Sequence, residues 1–311
     1  MAKRTYSQHP GWIILDKPVG ISSAKAVHVV KKFFNVKKAG HAGTLDPLAS
    51  GVLPIALDDA TKTIPYLVDT KKKYKFTIAW GEKTETDDSE GKVLETSDVR
   101  PNYDDIENTL KLFLGNIIQT PPRYSAIKIN GKRAYSLARE NIEFEVPERS
   151  VEVFSLRLLK KLNKNFADLE VFCGKGTYVR SLARDIAEKL GTFGHIKALE
   201  RLEVGPFELK NAFPLETFSN LVHSPPAGSV GKQFLLPLDS VLDDIPALAL
   251  TEEEARRMSH GQSISLFAVA NRNPISGLTP GATVQVVCGD RLIAIAMVAD
   301  GLVKPVRVLN S

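Results

Sequence analysis

The sequence predicts an α+β protein in two domains, a large one over residues 1–240 and a small β-rich one over residues 245–311. Three observations lead there. At 311 residues the chain exceeds what one hydrophobic core usually serves. Alternating stretches at Tyr74–Gly81, Val151–Lys160 and Asp168–Cys173 are interspersed with helical-period stretches over residues 24–34, 104–114 and 181–190. Near Pro225–Ser229 the pattern loosens into a loop, and beyond Gly261 short apolar runs lie between Gly-rich turns.

Composition narrows the class without settling function. Hydrophobic residues at 43% and charged residues at 25% describe an ordinary globular protein. No apolar run approaches the roughly 20 residues that span a bilayer. The basic start Met1–Tyr6 leads into no signal-peptide core, so a cytoplasmic protein is expected. Cys173 and Cys288 stand far apart with no CxxC partner or His cluster, which argues against a disulfide framework or a structural zinc. The net charge of +5 modestly favours a polyanionic partner.

Taken in order, Trp12–Lys17 reads as a strand stopped by Pro18, and Ser22 or Ser23 caps a helix over residues 24–34. The stretch Ala39–Pro54 then carries three glycines and two prolines, which break both helix and central strand. It is also too apolar for a solvated linker, so the expectation is a buried irregular loop with Asp46 at its middle. On spacing alone, Asp46 before Pro47 is equally an Asx-turn or a helix N-cap. Residues 60–67 read as helical. In the strand Tyr74–Gly81 the residues Tyr74, Phe76, Ile78 and Trp80 share one face, where Tyr74 is on pattern alone a core aromatic.

Glu82–Lys92 is acidic but lacks the ligand spacing of a calcium loop, and is expected as a solvated hairpin without metal. Arg123–Arg139 interleaves cations with aromatics around an Asn130-Gly131 turn and a short helix; Lys128, Lys132 and Arg133 suit phosphates, or else form a plain basic surface. Gly174–Thr177 lacks the upstream glycine of a nucleotide-hydrolysing phosphate loop. His195 is expected to be structural. Thr251 caps a helix running to His260, and Gly261–Ile264, Thr283–Cys288 and Leu292–Val298 read as short strands.

The wording of Gly40–Pro54 closely resembles the catalytic loop of the TruB family of tRNA pseudouridine synthases. Leu15–Ser23, Glu82–Lys92, Arg123–Arg139 and Lys175–Arg180 resemble further landmarks of that family. The resemblance implies a mixed-sheet catalytic domain over 1–240 with an RNA-binding insertion at about 121–150, and a C-terminal PUA-like β-barrel over 245–311. It assigns Asp46 as the catalytic aspartate, Arg180 as its partner, and Tyr74 and Tyr178 to the uracil pocket. Leu199 packs on the flipped base, His41 fills the space that base vacates, and Lys17 and Pro18 support the loop. Lys128, Lys132 and Arg133 fall in the RNA-gripping insertion. The activity implied is conversion of uridine 55 in the T-arm of tRNA to pseudouridine. No metal, cofactor or obligatory protein partner is implied, and a monomer is expected. An arginine beside a carboxylate favours its charged, nucleophilic form.

Overall fold

The computed structural model describes residues 9–220, 231–273 and 278–309. The loop expected around Pro225–Ser229 lies outside them. A ten-stranded mixed sheet dominates. Its order is Phe213–Pro214, Gly11–Lys17, Ala49–Leu57, Gly194–Val204, Lys72–Trp80, Phe166–Cys173, Arg149–Asn163 and Gly115–Gln119, with Ala39–His41 and Phe207–Glu208 attached to its middle strands. Alternation along the chain lets single strands serve both faces. Ile13 and Leu15, with Leu53, Ile55 and Leu57, face the helices Ser23–Phe34 and Val179–Lys189. Trp12, Ile14, Val52 and Ala56 face the opposite side.

That opposite side is covered by the C-terminal domain, a five-stranded sheet in the order Ala247–Ala249, Thr283–Cys288, Arg291–Ala299, Leu302–Val308 and Ile264–Ser265, of the small PUA-like type. Leu292, Ile295 and Leu309 share a buried cluster with Trp12 and Val52, and Lys62 Nζ donates to the Val308 carbonyl at 2.7 Å. The helix Glu252–Ser259 has the capping box expected from Thr251, closed by Glu254.

Two expectations need correction. The stretch Ala49–Leu57 is a central strand despite Gly51 and Pro54, and the irregular loop is confined to residues 42–48. Pro54 is tolerated because this edge changes partner beside it: Ala49–Gly51 pairs parallel with Leu199–Arg201, whereas Ile55–Leu57 pairs antiparallel with Ala39–His41. Gly51, at φ +98°, is required because a β-carbon there would lie 2.3 Å from the Arg201 carbonyl oxygen. The second correction concerns Glu82–Lys92. Its middle is buried rather than solvated: Ile196 N donates to the Asp87 carbonyl at 3.1 Å and Ser89 N to the Ile196 carbonyl at 3.0 Å, stitching the turn to the central sheet.

Candidate active site

Asp46 sits on the short loop because several elements hold the loop in place. Ser22 caps the helix Ser23–Phe34, which frees Ser23 to act elsewhere. The buried Ser23 hydroxyl donates to the Leu45 carbonyl at 2.8 Å and accepts from Leu45 N at 2.9 Å, one residue before Asp46. Gly20 N donates to the Pro47 carbonyl at 2.8 Å, one residue after it. From below, buried Arg201 donates to the carbonyls of Val52 at 2.8 Å and Gly43 at 2.9 Å. Lys17, also buried, donates to the carbonyls of Pro18 and Ile21 at 2.8 and 2.9 Å, which fixes the turn that contacts the loop. Burial pulls the Lys17 ammonium down to about 8, against the opposing pull of the Asp46 charge.

Arg180, on the first turn of the helix Val179–Lys189, reaches Asp46 Oδ2 at 2.9 Å. The same guanidinium lies 3.4 Å from Asp88 Oδ2 and donates to the carbonyls of Thr86 at 2.9 Å and Tyr124 at 3.0 Å. The Arg180 and Asp88 side chains are 5% and 3% exposed, whereas Asp46 is 36% exposed. One carboxylate therefore backs the arginine from inside, while the other faces open space. Asp88 is itself fixed, since its Oδ1 accepts from the Thr86 hydroxyl at 2.5 Å and from Glu90 N at 3.0 Å. Next to it, Asp87 pairs with Arg184 at 2.9 Å. The acidic turn thus supplies counter-charges for two arginines of one helix.

Asp46, Tyr74, Tyr178, Arg180 and Leu199 line one cavity of about 650 Å³, within the usual range of ligand clefts. Tyr74 stands on the strand Lys72–Trp80, and burial pushes its phenol above the ordinary 10.0, opposed by the Arg201 charge. At neutral pH it is a protonated phenol. Leu199 is buried in the strand Gly194–Val204, opposite Ala49 and Phe76. Tyr178 is held by its backbone: its N–H donates to the Gln119 Oε1 at 3.1 Å, and its carbonyl accepts from Gln119 Nε2 at 3.4 Å.

His41 does not line this cavity. It ends the short strand Ala39–His41, with a buried Nδ1 that has no hydrogen-bond partner, and burial together with Arg201 lowers its pKa from the ordinary 6.5. Lys128, Lys132 and Arg133 stand exposed on a hairpin turned by Asn130 (φ +48°) and Gly131 (φ +85°). The same insertion contributes Ser125, Tyr135 and Arg139 to the cavity wall, so the hairpin flanks the opening. His195 is buried, with Nδ1 3.2 Å from the Glu82 carbonyl, away from the cavity.

Sequence reasoning missed Asp88, Arg201, Ser23 and Gln119. Asp88 lay in a run whose charge read as solvent-facing. Arg201 lay in Leu199–Leu202, where the alternating pattern of a strand was hidden by charged residues and by bulges at Ile196/Ala198 and Arg201/Glu203.

A family model described as TruB family pseudouridylate synthase (N terminal domain) matches residues 31–179, and one for the tRNA pseudouridylate synthase B C-terminal domain matches 180–243. The chain is 47% identical to the tRNA pseudouridine synthase B of Rhodospirillum rubrum over 96% of both proteins. It is 49% identical to the protein of that name from Caulobacter sp. strain K31, again over 96% of each. Among solved structures, one titled as a Cbf5-Nop10-Gar1 complex superposes with a TM-score of 0.73 at 25% identity, covering 96% of this chain and 84% of the other.

Proposed function

The chain belongs to the TruB family of pseudouridylate synthases, and from that premise we propose that it isomerises uridine 55 in the T-loop of tRNA, with Asp46 as the catalytic carboxylate. The observation that carries this reading is the Asp46–Arg180 pair at 2.9 Å, set in a cavity between Tyr74 and Tyr178.

The chemistry breaks the bond from the ribose C1′ to N1 of uracil, turns the base, and joins C1′ to C5. The C5 proton leaves and N1 gains one, so the reaction is balanced within substrate and solvent. Attack on the ribose carbon, attack on the base, and elimination to a glycal all call for an ionised oxygen close to the glycosidic bond. Arg180 orients Asp46 without covering it, because Asp88 and two carbonyls occupy the rest of the guanidinium. Tyr74 offers a ring for stacking and a hydroxyl beside the base, where stacking is worth roughly 1–3 kcal/mol. Leu199 gives the base an apolar floor.

A uridine inside a folded loop must leave its stack to reach this cavity, at a cost of a few kcal/mol. His41, kept neutral by burial, suits the role of filling the gap left behind. Lys128, Lys132 and Arg133 supply exposed cations for the T-arm backbone. The domains divide as a catalytic part over 1–240 and an RNA-holding part over 245–311. No described helix is long and apolar enough to cross a membrane, consistent with the proposed cytoplasmic location.

The test is tritium release from tRNA labelled at C5 of uridine, using the purified chain alone, followed by mapping of the modified position. Release with wild type and none with Asp46→Asn supports the reading. Equal release from both removes Asp46 from the mechanism, and activity only with added proteins removes the partner-free monomer.

A further inference from the structure

One guanidinium in the cavity wall is left over by the proposed chemistry. Arg149 opens the strand Arg149–Asn163, directly opposite Gln119 on the neighbouring strand. Gln119 clamps the backbone of Tyr178, and Arg149 covers its ring, with the guanidinium carbon 4.5 Å from the ring centroid. Arg149 also lies over Gly176, where a β-carbon would already touch Nη1 at 3.4 Å. Yet its Nε and Nη2 are buried without a hydrogen-bond partner, and among the described residues it forms no ion pair. The contrast with other arginines is direct: Arg180 and Arg184 are each held by two carboxylates, and Arg157 by Glu170. A half-buried guanidinium whose Nε and Nη2 are buried and unanswered, in the wall of a cavity, is poised for an anion.

We propose that Arg149 binds a backbone phosphate next to the flipped uridine, and in doing so locks the Tyr178 ring against the uracil. It is a positioning residue, and the proposal rests on the pseudouridine reading above. The planar guanidinium does two things at once that an ammonium cannot. It lies flat on an aromatic ring, and it turns a pair of N–H groups to one phosphate. Capture of the phosphate would then report the arrival of the flipped nucleotide directly to a residue of its pocket.

A T-arm hairpin RNA carrying one neutral methylphosphonate linkage, on the 5′ or the 3′ side of the target uridine, tests this as a chemical double-mutant cycle. Binding is measured over a range of KCl in an Asp46→Asn background, so that the RNA is not converted. Arg149→Gln should weaken the native hairpin by about tenfold or more and reduce the salt slope by about one. One of the neutral linkages should weaken the Arg149-containing protein by a similar factor and leave Arg149→Gln unaffected. With Asp46 intact, Arg149→Lys should keep the salt slope but lose turnover. Loss of the same factor by both proteins on each neutral linkage, or an unchanged slope, would overturn the proposal. If Arg149→Gln fails to unfold cooperatively, Arg149→Met, which also removes the charge, replaces it in the cycle, and full additivity between Met and both neutral linkages is again the refuting result. Tritium release by wild type with no coupling sinks this inference alone. Absence of release by wild type sinks the function it rests on.

Discussion

Two carboxylates share Arg180, and their different burial predicts a graded series of variants. Asp46→Asn removes a charge that is 36% exposed, so water screens most of what the pair contributes. Its stability cost should be about 0–1 kcal/mol. Asp88→Asn removes a charge whose side chain is 3% exposed from an arginine that is 5% exposed, where bulk solvent screens little. Breaking a buried pair costs about 3–5 kcal/mol, and the lower end applies because Arg180 still holds Asp46. Arg180→Met leaves Asp88 in the interior without its one ion-pair partner among the described residues, which places it at the upper end, about 5 kcal/mol. Catalysis should follow a different order. Asp46→Asn abolishes tritium release in a fully folded protein. Asp88→Asn loosens the guanidinium and should slow release on the order of a hundredfold at a temperature where it remains folded. Urea unfolding and single-turnover tritium release on the same preparations separate the two scales. Equal destabilisation by Asp46→Asn and Asp88→Asn, or a wild-type midpoint for Arg180→Met, would refute the division into an inner and an outer carboxylate.

Tyr74→Phe keeps the ring and removes the hydroxyl; it should bind RNA within about twofold of wild type and lose roughly 100-fold or more in turnover if that hydroxyl handles the C5 proton. His41 has a pKa below the ordinary 6.5, so folding favours the neutral ring. Its contribution should be complete above pH 6.5 and be lost as pH falls through the lowered value, and a scan of Tm from pH 8 to 5 on wild type and His41→Asn should show a smaller acid loss in the variant. Ending the chain near Ile245 exposes Trp12, Ile14 and Val52, which pack with Leu292, Ile295 and Leu309. The truncated chain should therefore lose several degrees of Tm as well as tRNA affinity, as a thermal scan beside filter binding would show. Amide exchange over residues 125–142, which carry the exposed hairpin, should slow when tRNA is added while exchange in the Ala49–Leu57 strand stays constant.

Local sequence determined a good deal by itself. Ser22 and Thr251 are side chains that satisfy helix N–H groups, and both caps stand where their spacing put them. Asn130-Gly131 turns a hairpin because both residues adopt positive φ cheaply. Asp46, Tyr178 and Arg180 were legible through the wording of two short stretches that resemble a family, Tyr74 through the place of its strand in the same resemblance, and the fold brings all four to one cavity. What the sequence did not carry was the fate of charges. Asp88 and Arg201 have the composition of surface residues. They are buried only because a turn 82–92 docks on the strand Gly194–Val204, and because Gly51 lets that strand approach the loop from behind. A charge can be buried wherever its partner arrives from elsewhere in the chain, and Arg180 arrives at Asp88 from 92 residues away (180 − 88). Pairing of that range is decided by tertiary packing, as was the unpaired state of Arg149. No local pattern could announce either one.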